Sequence, residues 1–469
     1  MTEKLSGITR RQALAGAAAA GSIPLLGTTT AHAADTTEGW TGPEPPAEIR
    51  AMLREISAAN IERTILKLVS FGTRNTLSSQ DDPTRGIGAA RDWLFDEFRK
   101  VALTSGGRMT VELQSYIQGV APRIPVPTPI TNVVATLRGD RPDSVDRTYV
   151  VSGHYDSMPT DPTNFTSDAP GANDDASGVA AVLEMARVMA TRHFDATLVF
   201  MAVAGEEQGL FGSNFFATQA KAAGRNIAGM FTNDIVGSSV GPAGERDPFS
   251  IRVFAEGLAN PPSPLEADWR RFGGGETETP ARQLARYIKE VAENAATLMK
   301  VRINYRRDRL GRGGDHIPFL QQGYTAVRFT EPKEDYRHQH QDVRVENGVQ
   351  IGDLPEFVDF DYVARAARVN AAALAALALA PAVPSGAVIN TAGLRVDTEL
   401  RWSPNTEGDL AGYEVVMRPT TDLEWNDTIE VGNVTSVVLP NVSKDNFFFG
   451  IRAVDSAGNR SPVAFPRPA

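Results

Sequence analysis

Ala196-Thr-Leu-Val-Phe-Met-Ala-Val203 runs straight into Ala204-Gly205-Glu206-Glu207-Gln208-Gly209-Leu210-Phe211-Gly212-Ser213. The first run is continuously apolar, which suits a strand covered on both faces, as in a parallel sheet with helices on either side. Two glutamates directly beyond such a strand are costly unless something positive meets them. Adjacent side chains point in different directions. One carboxylate can therefore hold a metal while its neighbour faces a substrate as general base.

Working outward, Thr148–His154 predicts a strand, Gly178–Thr191 a helix, Ser213–Ala223 a helix and Ile227–Phe231 a strand. A long helix over Pro280–Leu298, a strand over Val301–Tyr305, a helix over Asp315–Gln322, a strand over Thr325–Phe329 and a closing helix over Asp359–Ala378 continue the alternation. Two helical stretches, Glu48–Val69 and Ala89–Val101, precede it, and Gly237–Thr279, rich in Gly and Pro, reads as a pocket-shaping loop. The fold class expected is α/β, a mostly parallel mixed sheet flanked by helices. Beyond Pro384 the pattern changes to five short strand candidates within 394–454, a small all-β sandwich.

The 469 residues have ordinary apolar and charged content, 42% and 22%, and no uninterrupted apolar stretch of about 20 residues. A folded, water-soluble protein of two or three units is expected, with no membrane span. The net charge of −10 argues against nucleic acid as partner. No cysteine is present, so thiolate zinc sites, disulfides and cysteine nucleophiles are excluded, and any metal must sit on His, Asp or Glu. Arg10-Arg11, a weakly apolar run to Leu26 and Ala31-His32-Ala33 describe a leader for twin-arginine export to the periplasm or the medium. The division expected is a leader over 1–34, a linker over 35–47, a catalytic unit over 48–381 and the β unit over 384–469.

Further motifs fall beyond predicted strand ends, where open α/β sheets place their ligands. His154-Tyr-Asp156 offers an imidazole with a carboxylate able to hold its second nitrogen. Gly171-Ala-Asn-Asp174-Asp175-Ala-Ser-Gly178 enters a helix; Asp175 or Ser177 can cap it, and one carboxylate of the pair can be shared by two cations. Asp234 follows a strand, and Tyr336-Arg337-His338-Gln-His340-Gln-Asp342 lies beyond another. His154, Asp174, Glu207, Asp234 and one of His338 and His340 make two imidazoles and three carboxylates. That is too many for one tetrahedral zinc and fits two ions, zinc by preference, with manganese or cobalt also suited.

The ordered motifs H-x-D, G-x-N-D-D-x-S-G, G-E-E-x-G-L-x-G-S, N-D, G-G-D-H-x-P-F and H-x-H-x-D resemble the co-catalytic di-zinc aminopeptidases, relatives of glutamate carboxypeptidase with a phosphorylase/hydrolase-like zinc exopeptidase fold. The resemblance spans about residues 50–380. It implies that Asp174 bridges two Zn2+, that His154 and Asp234 complete one site and Glu207 and His338 the other, and that Glu206 is the base. His338 is favoured over His340 because the family spaces this ligand four residues before an Asp, here Asp342. A cis peptide between Asp174 and Asp175 is implied as well, together with a supporting role for Asp315 and His316. The family's oxyanion-supporting Tyr precedes that His directly; here Arg337 does, so Arg337, Tyr336 and Tyr324 are the donors considered.

The activity implied is hydrolysis of a peptide at its N-terminus. A carboxypeptidase or dipeptidase of the same fold, a single-zinc glutaminyl cyclase and a non-catalytic binding protein are the alternatives. Leu400-Arg-Trp402, Asp409–Val416 and Phe449–Pro462 resemble a fibronectin type III module, with Trp402 in its core and Phe447 at the place of its corner Tyr. Such modules attach enzymes to polymers or surfaces, and a passive appendage is the other reading.

Overall fold

The protein is described by a computed structural model covering residue 40, residues 42–258 and residues 262–469. The leader expected over 1–34 lies outside the described residues, as does part of the linker.

The helices are α1 (Ala47–Arg54), α2 (Ala58–Val69), α3 (Ile87–Leu103), α4 (Ala176–Met189), α5 (Glu206–Gly209), α6 (Phe211–Ala222), α7 (Pro264–Gly273), α8 (Pro280–Ala292), α9 (His316–Gln321) and α10 (Phe360–Leu379). The main sheet contains β1 (Met109–Gln118), β2 (Thr128–Leu137), β3 (Arg147–His154), β4 (Thr197–Val203), β5 (Asn226–Asn233), β6 (Ser250–Ala255), β7 (Lys300–Asn304) and β8 (Ala326–Thr330). Its order is β1-β2-β4-β3-β5-β8-β6-β7. The centre, β4-β3-β5-β8, is parallel, while β1 to β2, β2 to β4 and β6 to β8 pair antiparallel. The sheet is thus mixed, with its parallel part in the middle.

β3 and β4 are buried along their whole length, and in β4 this burial on both faces shows in the sequence as a nearly unbroken apolar run. Helix α10 is long and apolar enough to cross a membrane by composition alone, yet it packs in the core against α2, α4 and α8. Close packing at the sheet's heart depends on Gly178: a Cβ there would lie 2.2 Å from the Asn233 carbonyl oxygen.

Two expectations change, and one hairpin is added. The helix over 48–69 is two helices, broken at Glu55-Ile-Ser57, where Ser57 Oγ caps α2 by accepting the Asn60 amide. β1 and β2 form an antiparallel hairpin at the sheet edge, and the mixed polar and apolar residues of β1 leave no continuous apolar run in its sequence. The stretch 237–279 is not all loop. It contains β6, an inner strand, and α7, opened by a capping box between Ser263 and Glu266.

Beyond α10 and the short hairpin of β9 (Arg344–Glu346) and β10 (Val349–Ile351) lie two small sheets. One orders β15-β12-β11-β17, with β11 (Val388–Ile389), β12 (Thr398–Arg401), β15 (Ser436–Leu439) and β17 (Arg467–Pro468); the other orders β14-β13-β16, with β13 (Leu410–Pro419), β14 (Asp427–Gly432) and β16 (Phe447–Asp455). Leu400, Trp402, Tyr413, Val415, Phe449 and Ile451 fill a separate core here. Phe447 lacks a hydroxyl, but the Tyr413 hydroxyl accepts the Asn405 amide at 2.7 Å.

Candidate metal centre

The C-terminal ends of the parallel strands converge on one cluster. His154 closes β3, Glu206 and Glu207 open α5 just beyond β4, Asp234 follows β5, and Asp174 and Asp175 lead into α4. The turn from β4 to α5 passes through Gly205 at φ +73°, a left-handed conformation that places the two glutamates in succession at the sheet edge.

Asp174 is the middle of the cluster. Its Oδ1 lies 3.1 Å from His154 Nε2 and its Oδ2 lies 2.9 Å from His340 Nε2. His340 Nε2 also lies 3.1 Å from Glu207 Oε2, and His154 Nε2 lies 4.0 Å from Asp234 Oδ1. Donor atoms of His154, Asp174 and Glu207 fall within 4.8 Å of one another, as do those of His154, Glu206 and Asp234. The peptide between Asp174 and Asp175 is cis.

The neighbouring residues fix these groups. His154 Nδ1 is 3.1 Å from the Asp156 carbonyl oxygen, so its Nδ1–H donates there and Nε2 is the ring nitrogen turned toward the carboxylates. The Asp156 carboxylate accepts the amides of Glu206 and Glu207 at 3.3 and 3.1 Å, and so ties the end of β3 to the start of α5. Asp175 caps α4 through the Gly178 amide and also accepts the amides of His154 and Ile235. Asp315 is buried with one carboxylate oxygen unpartnered, and His316 Nε2 donates to the Arg307 carbonyl at 2.8 Å.

His338, expected as a ligand, is elsewhere. It closes a short 3-10 turn over Tyr336–His338, and its ring stacks on Phe357 at 3.6 Å. Two residues later the chain takes φ +49° at His340, which brings that imidazole to Asp174 and Glu207. Asp342, used to choose His338 by spacing, accepts the Thr160 amide instead. The oxyanion donors considered are also engaged elsewhere or lie outside the cluster. Arg337 pairs with Asp335, Tyr336 is exposed beneath Arg312, and the Tyr324 hydroxyl donates to the Arg225 carbonyl, at the N-terminal ends of β8 and β5 and so opposite the cluster.

Several supporting residues carried no motif. Both Asp353 oxygens accept backbone amides, from Asn173 and Asp174. Buried Arg74 donates to the carbonyls of Leu68, Tyr155, Pro170 and Gly171, and so holds the bend ahead of Asp174. Arg328, fully buried, reaches Asp234 Oδ1 at 2.8 Å and Asp308 Oδ2 at 3.0 Å.

The electrostatics show more negative charge than the imidazoles balance. Burial pushes the Glu206 carboxyl well above its usual range, with Asp234 and Glu207 adding to the push against His154. Burial also raises Asp315 to about 7. For His340, burial pulls the other way, but Glu207 and Asp174 outweigh it and lift the imidazole to about 11. Glu207 Oε1 is buried with no hydrogen-bond partner, an orphan acceptor that a cation would satisfy. With imidazole nitrogens among the carboxylates, the donor set fits zinc-like ions.

Fold and site together describe an α/β protein with a candidate metal centre at the C-terminal ends of its parallel strands. A family model described as Peptidase family M28 matches residues 132–347. A probable zinc metalloprotease of Leptosphaeria maculans is 53% identical over 430 residues, spanning 92% of this chain and 99% of that protein. Among solved structures, LapB from Legionella pneumophila covers 73% of this chain and 78% of its own at 20% identity and a TM-score of 0.49. A glutaminyl cyclase from Porphyromonas gingivalis covers 68% of this chain and 97% of its own at 16% identity and a TM-score of 0.47. The chain belongs to peptidase family M28 and is a metallopeptidase.

Proposed function

We propose that the chain is a zinc-dependent exopeptidase that removes N-terminal residues from peptides. The observation that carries this reading is the Asp174 carboxylate, one oxygen facing His154 and the other His340. His154, Asp174 and Asp234 would hold one cation, and Asp174, Glu207 and His340 the other. When bound, two such ions act as Lewis acids toward a peptide carbonyl and a water.

The chain's own groups supply the rest. Glu206, adjacent to Glu207 and within reach of His154 and Asp234, accepts a proton from the attacking water and returns it to the leaving amine. Asp156 fixes the turn that carries it through the two amides it accepts. The surplus of carboxylates, including the unpartnered oxygen of Asp315, favours a substrate that brings a positive charge. A free α-amino group does so. The reading includes export by the leader and use of the C-terminal sheets beside the peptidase unit.

The test pairs aminoacyl anilides with their N-acetylated counterparts, before and after chelation. Hydrolysis confined to free amines and abolished by chelation is expected, and Glu206→Gln should keep its metal while losing turnover by about 100-fold or more. Preference for blocked substrates would move the reading to a carboxypeptidase or dipeptidase.

A further inference from the structure

A cavity of about 450 Å³ lies between α7, the start of α8 and the C-terminal sheets, with Trp269, Leu284 and Phe465 among its apolar walls. Its size suits a small molecule. Tyr149, Ala228 and Thr325 also line it, and they stand near the N-terminal ends of β3, β5 and β8. The cavity is therefore at the end of the sheet opposite the metal centre.

Its charged groups are unequally matched. Glu266 and Glu278 line the cavity with both carboxylates engaged: Glu266 accepts from the Ser263 amide and from Arg467, and Glu278 accepts from Gln283, Arg286 and Arg418. Arg270, which also lines the cavity, is not matched. It is 7% exposed, and its Nε and Nη1 are buried without an acceptor among the described residues. Glu256 does not serve as its counter-ion, since burial raises that carboxyl against the pull of Arg307 and Arg270 and leaves its Oε2 unpartnered as well. Burial, and then the like charges of Arg286 and Arg270, lower the neighbouring Arg282 against Tyr305 and Glu278. Positive charge is in surplus here. A guanidinium cannot shed its proton, so its burial unpaired is costly, and a carboxylate removes that cost with charge-assisted hydrogen bonds.

We propose that this cavity binds a monocarboxylate with an apolar body, its carboxylate paired with the Arg270 guanidinium and its body against Trp269, Leu284 and Phe465. The unmatched guanidinium sets the charge of the ligand, and the walls set the character of the rest. A fatty acid and the C-terminal residue of a peptide share this chemistry. Either would join α7 to the C-terminal sheets, so occupancy stabilises the folded chain.

Calorimetry and thermal unfolding with octanoate, N-acetylleucine and 1-octanol test the site on the whole chain. Expected is one carboxylate bound per chain with a Kd at or below about 1 mM, a Tm that rises with ligand concentration, and binding that survives chelation. Tighter binding of octanoate would assign the site to fatty acids, and tighter binding of N-acetylleucine to peptide C-termini. Octanol, which has no charge for Arg270, should bind at least about 10-fold more weakly than octanoate. Arg270→Met keeps an apolar stem of similar reach; it should lose carboxylate affinity by about 10-fold or more and keep the parent's turnover. Its Tm without ligand should equal or exceed the parent's, because an unpaired buried charge has been removed. Three results would each overturn the proposal: neither carboxylate binding the parent at 10-fold above the expected Kd, R270M or octanol binding within 3-fold of the parent–octanoate pair, or an R270M chain that melts well below the parent without ligand, which would mean that Arg270 already has its partner within the fold.

Discussion

The carboxylate of Asp353 accepts the backbone amide of Asp174 at 2.7 Å, and its other oxygen accepts that of Asn173 at the same distance. One side chain therefore fixes the peptide that carries the central carboxylate of the cluster. Asn173 extends the brace, since its Oδ1 accepts the Gly237 amide and its Nδ2 donates to Glu331. The carboxylate that would bridge two cations is thus set in place by backbone bonds on one side, leaving both its oxygens for the histidines.

Replacing Asp353 by Asn leaves one acceptor and turns an NH2 toward a backbone N–H. The orphaned amide should cost about 1–3 kcal/mol in stability. Loosening Asp174 should weaken zinc retention by about 10-fold or more, the range for partners that orient ligands. Urea unfolding of metal-free protein reads the first, and competition with a chromophoric chelator the second. Parent-like values in both would remove Asp353 from the role given to it.

His338 and His340 are two residues apart and should behave oppositely. His340→Ala removes a donor shared by Asp174 and Glu207, so metal affinity and turnover should fall by more than about 100-fold, beyond the loss typical of an orienting partner. His338→Phe keeps a ring to stack on Phe357 and should leave both within about 3-fold. Metal analysis after dialysis, with kcat/KM on the same samples, checks the pair.

How much of this was legible follows from what each residue leaves in the sequence. His154, Asp174, Glu206, Glu207 and Asp234 stand beside apolar strands or at a glycine-rich helix entry, and a charged group in such a place is conspicuous. His340 was not separable from His338, because their order in space is decided by one left-handed residue and by Phe357, 19 positions beyond His338. Asp353 and Arg74 left no signal at all. Each acts on backbone amides or carbonyls, which every sequence contains, through contacts that, Leu68 aside, lie 81 to 180 residues away. The β1–β2 hairpin was missed for the opposite reason, since one face of an edge hairpin is solvated and its apolar run is broken.

Buried His316 gives the protein an acid-sensitive element. Burial is the main cause that pulls its imidazole down to about 4; Arg328 acts the same way, and Asp308 and Asp234 oppose them. The unfolded chain takes up the proton near 6.5, before the folded one. Stability from this residue is therefore fully present above pH 6.5 and is lost as pH falls from there toward about 4, by roughly 3 kcal/mol in all. Urea unfolding of metal-free protein at intervals from pH 7.5 to 4 should show this loss, and His316→Gln should flatten it by about one proton. Identical pH profiles for the two proteins would rule the effect out.

The C-terminal sheets are joined to the peptidase unit by buried charge, and the described residues from Trp40 onward form one compact unit. Glu278, ahead of α8, accepts from Gln283 and Arg286 of that helix and from Arg418 of β13, whose guanidinium lies against Trp425 and Phe448. Arg147, at the start of β3, pairs at 3.0 Å with Glu407, and both are buried. Removing residues 384–469 would strip Arg147 of its carboxylate and Glu278 of one of its guanidinium partners. Breaking a single buried pair typically costs about 3–5 kcal/mol, a large part of the stability of an ordinary domain. The truncated chain should therefore be insoluble or melt far below the parent, and Arg418→Met alone should lower stability by about 3 kcal/mol. A passive appendage would behave otherwise: residues 40–383 would express as a soluble protein with parent-like Tm and turnover, and that result would end the case for an integral module.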